Sequence, residues 1–146
     1  SFYKEKGLTL WDVLQGLYRE HGFYEEKTVS VSIGGIDPMK KMREIMATLR
    51  SNPPKSICDV SATALMDYKS QISLNLESNE KTEDKALPIA DMLKFTLKDG
   101  TSALIRPSGT EPKIKIYILA SHENKETANK MCEDYSSYLK NLLKNM

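Results

Sequence analysis

The chain has 146 residues, enough for one ordinary domain with a real core. Its 21 Lys+Arg against 20 Asp+Glu leave a net charge of +1, which excludes a global pull toward nucleic acid or an acidic membrane. No apolar run approaches the ~20 residues of a membrane span, and "SFYKEKG" at the start lacks the apolar core of a signal peptide.

That start also lacks a methionine, so the chain reads as a piece of a longer protein. "LTLWDVLQGLYREHGFYEEK" reads as a helix. Thr9 followed by Asp12 resembles a capping box, Leu10, Val13, Leu14, Leu17 and Tyr18 share one face, and Gly22 is a stop. With no local mate, this helix is expected to belong to a preceding domain. "KTVSVSIGG" alternates Val29, Val31 and Ile33 with polar residues, a half-buried strand.

"GGIDPMKKMREIMATLRSNPP" is a punctuated helix. Asp37 caps it, Pro38 fits the first turn, and Pro53–Pro54 end it. Met39, Met42, Ile45, Met46 and Leu49 form its apolar stripe, read as core, with a methionine-rich partner groove as the lesser alternative. "SICDVSATALMDYKSQISLNL" reads as extended, with a helix over Ala62 to Met66 left open. "ESNEKTEDKA" is charged and reads as a structureless surface loop.

"DMLKFTLKDGTSALIR" is the clearest hairpin: Leu93, Phe95 and Leu97 alternate, and Asp99–Gly100 favours a two-residue type I′ turn. Ile114, Ile116 and Ile118 alternate in the next strand. A final helix is expected to start near Ser121, with Ala128, Met131, Cys132, Tyr135, Tyr138, Leu139, Leu142 and Leu143 on its apolar face. The order is a helix, then β-α-β-β-β-β-α. This predicts an α+β domain whose antiparallel sheet is covered on one face by helices.

Between the last two strands lies "RPSGTEPK". Arg106 offers a planar fork suited to phosphate. Ser108 and Thr110 offer hydroxyls, and Gly109 lets the backbone approach a ligand or take positive φ. Successive N–H groups in such a turn can cradle an anion. Lys113 and Lys115 share one face of the next strand. The other reading is an ordinary hairpin loop whose hydroxyls cap their own backbone and whose Arg106 pairs with Glu111. The nucleotide P-loop pattern is absent.

"RPSGTEPKIKIYI" resembles the phosphate-binding loop of the α-D-phosphohexomutases, the phosphoglucomutase/phosphomannomutase family. "GLTLWDVLQGLYREHGFY" resembles the end of that family's third domain. "GGIDPMKKMREIMATLRSNPP" and "ADMLKFTLKDG" resemble its fourth. The resemblance implies residues 1–24 as a remnant of the third domain and 25–146 as the fourth, with a TATA-binding-protein-like β-α-β(4)-α fold. It implies a cytoplasmic parent enzyme, an isomerase and intramolecular phosphotransferase of carbohydrate metabolism, that interconverts sugar 1- and 6-phosphates through a 1,6-bisphosphate. Its phosphoserine and Mg²⁺ loops, similar to "TASHNP" and "DxDxD", and its sugar-reading loop, similar to "GExSG", are not in this chain. The resemblance therefore implies no catalytic residue, metal or cofactor here, an isolated chain without catalysis, and missing domains as partners.

Carried over, the substrate-phosphate contacts fall on Arg106, Ser108, Gly109, Thr110 and Lys115, with Lys113 a weaker candidate. Pro107, Glu111 and Pro112 shape the loop. His21 and His122 read as surface or capping residues. Cys58 and Cys132 read as reduced packing thiols of an intracellular protein. A free-standing phospholigand-binding regulatory module is the alternative. An RNA-binding sheet needs exposed aromatics and a basic face, and Phe95 on the apolar side with balanced charge argues against it.

Overall fold

A computed structural model describes residues 23–146. Strand β1 spans Phe23–Ser32, helix α1 Pro38–Ser51, and β2 Ser56–Ile57. Then come β3 (Val60–Asp67), β4 (Ile72–Asn75), β5 (Lys81–Glu83), β6 (Leu93–Leu97), β7 (Ser102–Pro107), β8 (Lys113–His122) and helix α2 (Lys125–Lys144). The strands lie in the order β1-β8-β7-β6-β3-β4-β5, with β2 paired to β3, and every pairing is antiparallel. The β6-β7-β8 meander is as expected. The four long later strands are β3, β6, β7 and β8, and the short β2, β4 and β5 extend the sheet at its β3 side.

Both helices bury their stripes on one face of this sheet. Met42, Ile45, Met46 and Leu49 of α1 and Cys132, Tyr135, Leu139 and Leu143 of α2 join Val31, Phe95, Ile105, Ile114, Ile116 and Ile118 in one core cluster. Alternation along the strands puts these apolar residues on the helix side. Met39, Met131 and Leu142 flank that cluster, whereas Tyr138 remains 39% exposed and off the buried face. Phe95 is fully buried, so it presents no stacking surface. The opposite face is only partly covered: Leu87 and Ala90 lie on a smaller cluster of Tyr68, Met92, Leu104 and Leu119.

Helix α1 begins and ends as its punctuation predicts. The Asp37 carboxylate accepts from the Lys40 N–H at 3.1 Å, and Pro38 occupies the first turn. Other boundaries move. The helix expected over 8–27 lies outside the described residues up to residue 22, and 23–27 are strand, because β1 pairs with β8 from Phe23 onward. The last helix begins at Lys125, capped by Asn124, and not near Ser121, which still pairs with Tyr24 in the β1–β8 ladder.

The charged segment 77–86 contains β5, an exposed edge strand held by main-chain pairing to β4. The Asp99–Gly100 turn is not type I′. Leu97 pairs with Thr101 around three residues, and only Gly100 has positive φ, as in a turn closed by a glycine bulge. The two-residue connection with positive φ at both positions is Cys58–Asp59, between β2 and β3.

Candidate phosphate-binding site

The β7–β8 connection sits at the end of two paired strands. Arg106 and Lys115 are cross-strand partners, with Ser30 of β1 opposite Lys115 on the other side. Alternation places Arg106, Lys113 and Lys115 on the face that carries no helix, since Ile105, Ile114 and Ile116 point into the helix-covered core. The loop is braced at both ends. Ser108 N–H donates to the Lys113 carbonyl at 2.8 Å, and Ile33 N–H donates to the Pro112 carbonyl at 2.8 Å, tying the loop to the end of β1.

Ser108 Oγ accepts from the Thr110 N–H at 3.4 Å and the Glu111 N–H at 3.2 Å. This is the self-capping of an ordinary loop, and it shapes the turn. It consumes Ser108's acceptor oxygen and leaves its O–H free to donate. The other half of that ordinary-loop reading is not seen. Glu111 pairs with Lys113 at 3.3 Å, and Arg106 makes no ion pair among the described residues.

Four predicted contacts therefore keep their polar groups without a partner among the described residues: the Arg106 guanidinium, the Gly109 N–H, the Thr110 hydroxyl and the Lys115 ammonium. All four residues are exposed, and they cluster within one loop and its flanking strand ends. Lys113, engaged by Glu111, and Ser108, whose oxygen caps its own turn, are the exceptions. Gly109 does not take the positive φ that its residue type allows. A Cβ built there meets nothing within 4 Å, so the described fold itself does not demand glycine at this position.

The remaining reactive side chains are occupied elsewhere. His122 Nδ1 accepts from the Asn124 N–H at 3.0 Å, a capping role next to α2. His21 lies outside the described residues. Burial pushes the Cys132 thiol up to about 11, and it also raises Cys58, which sits in the β2–β3 turn. Neither is an activated nucleophile. Among the described residues, no group of three or more His, Cys, Asp or Glu side chains could hold a metal ion. No described helix is long and apolar enough to cross a membrane. A cleft of about 590 Å³ lies between Gly34–Gly35, α1 and Met146, and no residue of the loop lines it.

Residues 58–134, more than half of the chain, match the family model described as phosphoglucomutase/phosphomannomutase, C-terminal domain. The chain belongs to that family. It is 33% identical over 135 residues to a phosphoglucomutase of Staphylococcus haemolyticus, covering 92% of this chain and 24% of that protein. A phosphoglucomutase of Staphylococcus epidermidis is 35% identical over 118 residues, covering 81% of this chain and 21% of its own. A solved structure of pp63/parafusin, a phosphoglucomutase from Paramecium, in its open form, aligns over 94% of this chain and 24% of its own, at 14% identity and a TM-score of 0.43. The chain thus spans about a quarter or less of the relatives it matches. The segment matched by the family model contains the whole loop.

Proposed function

We propose that this chain is the substrate-phosphate wall of a phosphohexomutase, an enzyme that interconverts sugar 1-phosphates and 6-phosphates. Residues 25–146 form its C-terminal domain, and residues 1–24 belong to the end of the preceding one. The observation that carries this reading is the cluster of unpartnered donors on Arg106, Gly109, Thr110 and Lys115, in a chain of phosphoglucomutase/phosphomannomutase type.

The chemistry follows from the donors. Arg106 supplies a bidentate fork and a fixed charge. The Ser108 and Thr110 hydroxyls and the Gly109 N–H add directed hydrogen bonds, and Lys115 adds charge. No group in this set moves a proton. The site holds the phosphate that is not being transferred, and its contribution is positioning and charge. A loop that reads a phosphate and no sugar atom accepts either end of a hexose 1,6-bisphosphate. Phosphoryl transfer, with its phosphoserine and Mg²⁺, is assigned to the other three domains of the parent, so the chain alone is inactive.

Titration of the chain with a hexose 1-phosphate and, separately, a hexose 6-phosphate tests this by NMR. Both ligands are expected to shift the amides of Ser108, Gly109 and Thr110. A response to only one of them, or one centred away from the loop, contradicts it. The regulatory-module alternative predicts selective, tight binding of one phospholigand in the same experiment.

A further inference from the structure

We infer that Lys94 is a third cation of the anion site, contacting the bound phosphate from the neighbouring strand β6. This rests on the phosphate-loop reading above and extends it to a residue outside the loop.

Lys94 lies on the helix-free face, opposite Leu104 of β7 and Met66 of β3. Arg106 is two residues beyond Leu104 on β7, which makes it the diagonal neighbour of Lys94 on the same face. Such diagonal neighbours stand about 7–8 Å apart at their Cα atoms, within reach of two long side chains. Lys115 lies on that face one strand further on. Three cations on three adjacent strands thus converge on the end of the sheet where the loop sits.

The surroundings of Lys94 are wrong for a merely solvated lysine. Leu104 is fully buried, and Met66, Leu87 and Tyr117 belong to the apolar patch beside it. Lys94 is itself half-buried and has no hydrogen-bond or ion-pair partner among the described residues. Burial alone lowers its pKa, with no carboxylate restoring the charge. A methionine would satisfy this position better than an ammonium does in the free protein. A cation kept at that cost, one diagonal step from Arg106, is explained by an anion that joins it.

The chain as it stands supplies the test. Inorganic phosphate is titrated against it at neutral pH while the Lys94 ε-CH₂ signals and the Gly109 and Thr110 amides are followed. All three are expected to move along one isotherm. Lys94→Met is expected to weaken phosphate binding about 3- to 10-fold while melting at or above the temperature of the parent chain in phosphate-free buffer. Lys94→Arg is expected to bind more tightly than Lys94→Met. Loop amides that respond while the Lys94 ε-CH₂ stays still, or a Lys94→Met chain that titrates like the parent, overturn the role of Lys94 and leave the loop standing. If neither loop nor Lys94 responds, the loop reading fails and this inference falls with it.

Discussion

Arg106 and Lys115 stand directly opposite each other across β7 and β8, both exposed on the face without helices. Like charges so placed repel, and the proposed anion would turn that repulsion into a shared contact. Lys115→Ala is therefore expected to raise stability by roughly 0.2–1 kcal/mol in phosphate-free, low-salt buffer. In saturating phosphate the parent chain should gain more than the variant. Denaturant melts with and without phosphate check this. An equal loss of stability in both buffers would assign Lys115 a packing role.

Gly109 separates folding from binding. It is outside the left-handed region, and a Cβ there meets nothing within 4 Å. Gly109→Ala should stabilise the chain by about 0.4–1 kcal/mol, through the unfolded state. The same methyl group would stand where an anion must approach the N–H, so phosphate affinity should fall several-fold. Thermal melts and a phosphate titration read the two effects independently. A destabilised variant, or one with unchanged affinity, contradicts the assignment.

The Tyr135 hydroxyl donates to Asp99 Oδ2 at 2.5 Å, and Asp99 Oδ1 accepts from the Thr101 N–H at 2.9 Å. This ties α2 to the β6–β7 turn. The tyrosine is 6% exposed, so its loss is felt. Tyr135→Phe is expected to cost about 1–2 kcal/mol in urea melts, with phosphate affinity unchanged, because the turn lies at the other end of β7 from the loop.

Cys132 sets a pH dependence. Its thiol is 1% exposed and pushed up to about 11 by burial, against about 8.5 in an unfolded chain. Between these values the folded chain keeps a proton that the unfolded chain has lost. Stability is therefore full below about pH 8.5 and falls as pH rises toward 11. Cys132→Ala should flatten this slope even though it lowers stability at neutral pH. A slope unchanged in the variant would place the effect on other groups, of which Cys58 and Tyr135, both also raised, are the first candidates.

The sequence carries most of this fold where local signals and tertiary packing agree. Asp37, Pro38 and the Met42–Leu49 stripe mark α1 because its caps are local and its buried face has a single period. The misplaced start of α2 shows the opposite case. Ser121 looks like a helix entry, but β8 continues through His122 because Phe23 and Tyr24 are there to pair with it. Edge strand β5 carries no apolar signal at all, being Lys81–Glu83 held only through its backbone. Cys58–Asp59 forms a mirror-image turn without the Asn or Gly that usually announces one.

At the site, the residue types of "RPSGTEPK" were legible, and the pairing was not. Only the folded structure shows that Glu111 takes Lys113 and leaves Arg106 without an ion-pair partner among the described residues. The role proposed for Lys94 was illegible, because its neighbourhood depends on a three-strand register that the sequence alone does not specify.

Phosphate binding by the loop is proposed to run through Arg106, and an NMR phosphate titration of the chain beside Arg106→Ala puts that to the test. Millimolar affinity is expected, on the order of 4 kcal/mol, because one wall of a cleft leaves its contacts wet. Shifts should centre on Arg106, Ser108, Gly109, Thr110 and Lys115, and Arg106→Ala should stay folded and lose most of the response. Shifts centred elsewhere, or an Arg106→Ala chain that titrates like its parent, would contradict it.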